Sequence, residues 1–176
     1  SAASDVYKRQ PRDCANWCAD DDHLYIAMDG RAYALDARRG DVDRTYDVLD
    51  DGYDWGYIAR ADDLLLGSSV KRGASFTAWW GSEAWYDGKD GDSASKVCSD
   101  RLFALRASDG TTRWTFDDGL VVNATITVTD DRVHFVVCRS PEVLEADTRR
   151  VTADAFWNDL HLVTLDLRTG RELWQK

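Results

Sequence analysis

Hydrophobic and polar residues alternate in short segments along most of this chain, and each segment ends at a turn signal. Leu102 and Ala104 point to one side of such a segment, whereas Phe103 and Leu105 point to the other. The pairs Asp29-Gly30, Asp62-Asp63 and Asp130-Asp131 are typical of tight turns between strands. The pattern therefore predicts an all-β chain built from hairpins.

One of these segments occurs three times in the same register. In each copy a glycine follows the central leucine by five residues, which aligns Leu35 with Gly40, Leu105 with Gly110, and Leu165 with Gly170. Glycine reaches positive φ without steric cost and so supplies the turn. Trp114 and Trp174 follow four residues after their glycines and offer a large apolar area. We predict that these glycines and tryptophans dock one repeated unit against the next.

Grouping the strands predicts three four-stranded units, at residues 14–48, 56–116 and 121–175. The first strand of the third unit is predicted to run without a break over residues 121–129. Two insertions, at residues 70–99 and 139–159, enter between the second and third strands of their units. Because strands alternate in direction, that link lies at the same end as the connections between units, residues 50–55 and 117–120. We expect insertions and connections to share one face.

The composition fits a globular protein and excludes two classes of function. Hydrophobic residues make up 44% of the 176 residues, but no apolar run approaches the roughly 20 residues of a membrane-spanning helix. The net charge of -10 argues against nucleic acid, because a phosphate backbone would meet like charge. Residues 1–13 are interpreted as a foreign or unstructured leader, since residues 5–10 resemble a translated sequencing-adaptor remnant in a metagenomic reading frame.

The sequence assigns no catalytic residue and no metal site. Four cysteines, at positions 14, 18, 98 and 138, allow three full pairings without choosing among them, and their spacing does not fit a structural zinc site. Three carboxylates in residues 87–92 do not match the calcium-binding loop pattern. No nucleophile elbow, phosphate loop or dinucleotide fingerprint is present.

Aromatic residues on the predicted insertion face form the candidate binding surface. Long loops on a rigid β scaffold commonly carry binding, and aromatic rings stack well on planar or sugar ligands. The alternative is that the rings form a small core which holds the insertion down. The candidate surface consists of Trp55, Tyr57, Trp79, Trp80, Trp85 and Tyr86.

The three copies resemble the repeat of the pyrroloquinoline-quinone (PQQ)-like β-propellers, roughly Ala-Leu-Asp-Ala-x-Thr-Gly-x-x-x-Trp. Residues 34–40, 104–114 and 164–174 carry the resemblance, although Arg106 replaces the usual Asp and Arg44 stands where the first copy should have tryptophan. The resemblance implies a WD40-like architecture with about three four-stranded antiparallel blades. It further implies a fragment of a ring of seven or eight blades, with the remaining blades outside this chain.

The family that this repeat resembles contains proteins of different function. Quinoprotein alcohol dehydrogenases bind PQQ and calcium, whereas the outer-membrane-assembly lipoprotein is a scaffold without a cofactor. This chain has no vicinal cysteine pair of the dehydrogenase kind, which favours the scaffold. We therefore expect a periplasmic or secreted binding scaffold for a protein or glycan partner. The alternatives are a PQQ- and calcium-dependent dehydrogenase fragment and a carbohydrate-binding or carbohydrate-cleaving propeller.

Overall fold

The computed structural model describes residues 17–72, 98–146 and 153–176 of the chain. Within these residues, fourteen β-strands form three antiparallel sheets, which we call blades 1 to 3 in chain order. The prediction of an all-β chain with repeated four-stranded units, a partial β-propeller, is confirmed.

Blade 1 is an antiparallel meander in which each strand pairs with the next along the chain. Asp29, at a φ of 51°, and Gly30 form the two-residue turn that the sequence predicted. The strands are β1 (Trp17–Ala19), β2 (His23–Met28), β3 (Arg31–Asp36) and β4 (Val42–Asp47).

Blade 2 has the same strand order, although its hairpins are interrupted by the first insertion. Its first strand begins earlier than predicted, so Trp55 lies within a strand rather than in the preceding connection. A register shift between Trp55 and Tyr57 lets the long strand stay paired on both sides of Gly56. The strands are β5 (Tyr53–Ala61), β6 (Leu64–Lys71), β8 (Arg101–Arg106) and β9 (Thr112–Phe116).

Blade 3 departs from the predicted unit in its first strand. The prediction of one continuous strand over residues 121–129 was wrong, because a 3₁₀ turn, Asn123–Thr125, divides it. The Thr125 hydroxyl donates to Val122 O and accepts from Val136 N, and so replaces a bond of the ladder. The strands are β10 (Leu120–Val122), β11 (Thr127–Val128), β12 (Arg132–Cys138), β13 (Leu160–Asp166) and β14 (Glu172–Gln175).

The insertions also differ from the predicted boundaries. β7 (Cys98–Ser99), expected at the end of the first insertion, pairs with β10 and thus adds a strand to blade 3. The second insertion contains two short helices, α1 (Pro141–Leu144) and α2 (Ala153–Trp157). Pro141 stands in the first turn of α1, where its missing N–H leaves no helical hydrogen bond unmade.

Apolar side chains pack in layers between neighbouring blades. Tyr25, Ala34 and Tyr46 of blade 1 meet Leu65 and Leu105 of blade 2 in one buried cluster. A second cluster joins blades 2 and 3 in the same way: Leu66, Ala104 and Trp114 on one side, Val133, Phe135 and Leu165 on the other. The repeat therefore dictates both the sheets and the way they stack.

Candidate functional site

One hydrogen bond joins blade 2 to blade 3 beside a glycine turn. Trp114 on β9 is 7% exposed and donates from Nε1 to Leu167 O at 2.8 Å. Gly170 lies against the same ring, and a Cβ at that glycine would stand 2.5 Å from Trp114 Cγ. The φ of Gly170 is +69°, a conformation that favours glycine independently of the contact.

Blades 1 and 2 make the equivalent contact with different side chains. Arg44 stands at the aligned position and donates from Nη1 to Ala107 O at 2.8 Å. The Tyr46 hydroxyl donates to the same oxygen at 2.7 Å, and its ring faces Gly110. An arginine and a tyrosine two residues later thus occupy the place of tryptophan. The sequence showed the missing tryptophan but not this replacement.

Trp174 is the third residue in this series and lies on β14 at the edge of blade 3. It is opposite Thr164, as Trp114 is opposite Ala104 and Arg44 opposite Ala34. Its side chain is 40% exposed and makes a tilted ring contact with His134 at 6.3 Å. The register is therefore repeated in all three blades.

Charged residues tie together the face on which the insertions leave the blades. We call this face the rim and define it by the connections 48–52 and 117–119 with the adjoining strand ends. Arg101 at the start of β8 pairs with Asp50 of one connection and, at 3.7 Å, with Asp117 of the other. Arg139, which begins the second insertion, pairs with Asp118 at 2.7 Å.

The ends of each insertion meet at the rim through backbone hydrogen bonds. Arg72 N, at the start of the first insertion, donates to Gly52 O at 2.9 Å, and Asp100 N donates to Ser69 O at 2.9 Å. In the second insertion Arg139 N donates to Asp159 O at 2.9 Å. Both insertions therefore start and finish on fixed backbone.

A buried polar junction holds the returning end of the first insertion. The Ser68 and Ser99 hydroxyls donate to Asn123 Oδ1 at 2.9 and 2.8 Å, and all three side chains are at most 1% exposed. Gly56 lies so close that an added Cβ would be 2.7 Å from Ser99 Oγ. The junction links β6, β7 and the 3₁₀ turn of blade 3 at the rim.

The structure removes Trp55 from the candidate aromatic surface. Trp55 is 1% exposed and packs edge-on against Phe103, with ring centroids 5.1 Å apart, so it lies in the core rather than on the surface. Tyr57 is half-buried, and burial together with the nearby Cys18 raises its pKa to about 12. The remaining candidates, Trp79, Trp80, Trp85 and Tyr86, lie outside the described residues.

The opposite face, formed by the turns that join the first strand to the second and the third strand to the fourth in each blade, holds a network around Arg60. Arg60 Nε donates to Asp20 Oδ2 at 3.0 Å, and the Tyr25 hydroxyl donates to the same oxygen at 2.9 Å. Burial would raise the pKa of Asp20, but hydrogen bonds from Asp22 N and the Tyr25 hydroxyl lower it on balance. A cavity of about 450 Å³ lies beside the network, lined by Arg60, Ala61, Asp62, Val128, Thr129, Asp130 and Leu167.

The part of the chain that the structure describes contains free cysteines and no cluster of metal-ligating side chains. Cys18 and Cys138 are free thiols, and burial raises the pKa of both, that of Cys18 to about 12. No three His, Cys, Asp or Glu side chains in the described ranges gather in a metal-ligating arrangement. The helices described there are all too short or too polar to cross a membrane.

The fold defines a segment of a β-propeller, and comparison with solved structures supports this at the level of fold. No protein-family model matches the chain, and no curated protein matches it in sequence. A quinohemoprotein alcohol dehydrogenase from Comamonas testosteroni is similar, with 12% identity and a TM-score of 0.58 over 91% of this chain and 26% of that one. Its counterpart from Pseudomonas putida HK5 has 12% identity and a TM-score of 0.57 over the same shares.

BamB from Moraxella catarrhalis shares 17% identity with a TM-score of 0.47, and the match covers 94% of this chain and 40% of BamB. The chain thus spans about a quarter of the dehydrogenases and two-fifths of BamB. At 12% identity, the likeness to the two dehydrogenase structures shows the fold alone.

Proposed function

We propose that this chain is a propeller segment that acts as a binding scaffold, with the insertions on its rim as the partner surface. The supporting observation is that both insertions are anchored on one face. Arg101 and Arg139 connect that face across blades 2 and 3 through ion pairs with both connections. A surface fixed in this way presents its loops at low entropic cost, which favours binding.

The first insertion is proposed to supply the contacts with the partner. Trp79, Trp80, Trp85 and Tyr86 lie between two anchored ends, at Arg72 and at Cys98 of β7. Tryptophan and tyrosine bury a large area at small entropic cost and suit protein or glycan partners. The resemblance to PQQ-like propellers supports a periplasmic or secreted location for this scaffold.

Site-specific photo-crosslinking tests the proposal. A photoreactive amino acid at position 80 or 85 of the full-length protein is expected to give discrete adducts, identified by mass spectrometry. The same amino acid at position 17 is the matched control, because Trp17 is 67% exposed but lies outside the insertions. Adducts from position 17 with none from the insertion would contradict a partner surface on the rim. Binding to a glycan array, lost on triple alanine replacement at positions 79, 80 and 85, identifies a glycan partner.

The second candidate is a segment of a PQQ- and calcium-dependent alcohol dehydrogenase, which the shared fold favours. The described residues bring no three carboxylate, histidine or cysteine side chains together, so no carboxylate cluster for calcium is assigned among them. We therefore derive no catalytic step through the quinone. Equilibrium dialysis of the full-length protein with PQQ and calcium, followed by dye-linked alcohol oxidation, distinguishes the candidates: binding and turnover identify a dehydrogenase.

A further inference from the structure

Three polar side chains fill the contact between blades 1 and 2 on the face opposite the rim, which we call the turn face. Arg60 of blade 2 donates from Nε to Asp20 Oδ2 of blade 1 at 3.0 Å, and the Tyr25 hydroxyl of blade 1 donates to the same oxygen at 2.9 Å. The guanidinium carbon of Arg60 lies 5.8 Å from the centroid of the Tyr25 ring. A cation, a carboxylate and an aromatic ring therefore meet between these two blades.

The repeat places smaller apolar side chains at the same positions between blades 2 and 3. The equivalent residues follow from strand pairing when the three central leucines are aligned. The residues at the positions of Arg60, Asp20 and Tyr25 are, in that order, Val128, Ala61 and Leu66. The polar group of the first contact is thus replaced by three apolar side chains in the second.

This replacement accounts for the cavity of about 450 Å³ between blades 2 and 3 on the turn face. Ala61 and Val128 line the cavity together with Leu167. Alanine and valine are too short to fill the space that aspartate and arginine fill between blades 1 and 2. The volume lies within the roughly 300–1,000 Å³ of ligand pockets.

The cavity also carries two carboxylates. Asp62 and Asp130, from the first turns of blades 2 and 3, both line it and are both exposed. Asp62 pairs with Arg168, whereas Asp130 makes no ion pair with the residues that the structure describes. A carboxylate beside apolar walls suits a cation on an apolar stem, because the stem packs against the walls while the charge stays at the carboxylate.

We infer that the cavity binds an arginine side chain of a partner protein, with the methylene stem against Ala61 and Val128 and the guanidinium beside Asp130. One blade away, Arg60 fills the equivalent space and bonds to a carboxylate of the neighbouring blade. Free arginine would bring its own carboxylate towards Asp130, so an arginine within a polypeptide is the better match. The site is formed by two neighbouring blades and lies opposite the rim, so it is independent of the insertions.

NMR titration of the methyl-labelled full-length protein with N-acetyl-L-arginine amide tests this site. The probe presents the arginine side chain without a free carboxylate, and N-acetyl-L-citrulline amide is the matched neutral probe of nearly the same shape. Saturable shifts of the Ala61 and Val128 methyl signals are expected with the arginine probe. The citrulline probe should bind about two- to fivefold more weakly, which is the effect of losing one partly exposed ion pair.

Removal of the unpaired carboxylate is the first variant. Asp130→Asn should weaken binding of the arginine probe about two- to fivefold. Asp63→Asn is the matched control, because Asp63 is exposed in the first turn of blade 2 but does not line the cavity. Its affinity for the probe should be unchanged.

Val128→Arg is the second variant and should fill the cavity as Arg60 fills its equivalent. Loss of the probe-induced shift at the Ala61 methyl is expected, and the unfolding midpoint shows whether the variant folds. Equal affinity for the two probes, no saturable shift with either, or an Asp130→Asn variant that binds as tightly as the unchanged protein would each overturn the inference. Because photo-crosslinking at the rim reads a different surface, either proposal can fail without the other.

Discussion

Replacing each of the three repeat glycines by alanine measures how much the packing between blades contributes to the unfolding free energy, with Gly40 as the internal control. Gly40, Gly110 and Gly170 share nearly the same backbone, with φ values of +76°, +74° and +69°. The cost of placing an alanine there, about 1–2 kcal/mol, is therefore common to all three. What differs is the surroundings: the new Cβ meets nothing within 4 Å at Gly40, Tyr46 Cδ1 at 3.3 Å at Gly110, and Trp114 Cγ at 2.5 Å at Gly170.

The expected losses of unfolding free energy follow from these distances. Gly40→Ala should cost about 1–2 kcal/mol, which is the backbone contribution alone. Gly170→Ala should cost an additional 1–3 kcal/mol or so, because the Trp114 ring cannot move without disturbing the packing of blades 2 and 3. Gly110→Ala should fall between them, since Tyr46 needs to shift by only a few tenths of an ångström.

Urea unfolding of the three single variants, each compared with the unchanged protein, is the appropriate assay. The slope of free energy against urea should be unchanged, so that shifts in midpoint report stability. Equal losses at Gly40 and Gly170 would refute the reasoning, since they would show that only the backbone conformation matters and that blade 2 does not pack on the blade 3 turn.

Further predictions concern the hydrogen bonds of Trp114, Asn123, Asp109 and Asp166. Trp114→Phe should lower the unfolding free energy, measured by urea unfolding, by about 1–3 kcal/mol, because the buried Leu167 carbonyl loses its hydrogen-bond donor. Trp174→Phe should lower it little, because Trp174 is 40% exposed. Asn123→Ala should cost a similar 1–3 kcal/mol or so by the same measurement, since two buried hydroxyls lose their acceptor; a loss below the error of the fit would contradict this. Hydrogen bonds from Thr111 and Thr169 lower the pKa of Asp109 and Asp166 in the folded protein. The ionised carboxylates therefore stabilise the fold at a pH above their unfolded pKa, and this stabilisation is lost as the pH falls through the lower folded pKa. Asparagine at both positions should flatten the decline of unfolding free energy between about pH 5 and pH 2, and an unchanged acid profile would contradict that assignment.

The repeat made the fold predictable because one local pattern determines both strand pairing and stacking. Leu35, Leu105 and Leu165 were aligned from the sequence, and the structure repeats the register shift beside each of them. Strand periodicity and glycine turns are local signals, so a single sequence suffices to read them. The all-β prediction and the three units followed from those signals.

Features that depend on tertiary packing were not accessible in the same way. Trp55 was expected on the surface because a connection was predicted there, but β5 begins at Tyr53 and carries the ring into the core. The pairing of β7 with blade 3 and the division of the strand at Asn123 depend on side-chain hydrogen bonds between distant segments. No periodicity in a single sequence reports such contacts.

Exchange of the tryptophan indole protons with deuterium, followed by NMR, tests most directly whether successive blades dock through the repeat. Replacement of single tryptophans by phenylalanine assigns the signals of Trp114 and Trp17. The indole N–H of Trp114 is bonded to Leu167 O between blades, whereas Trp17 is 67% exposed. We expect the Trp114 proton to exchange only when the blades separate, and therefore far more slowly than the Trp17 proton. Equal exchange rates for the two protons would contradict it.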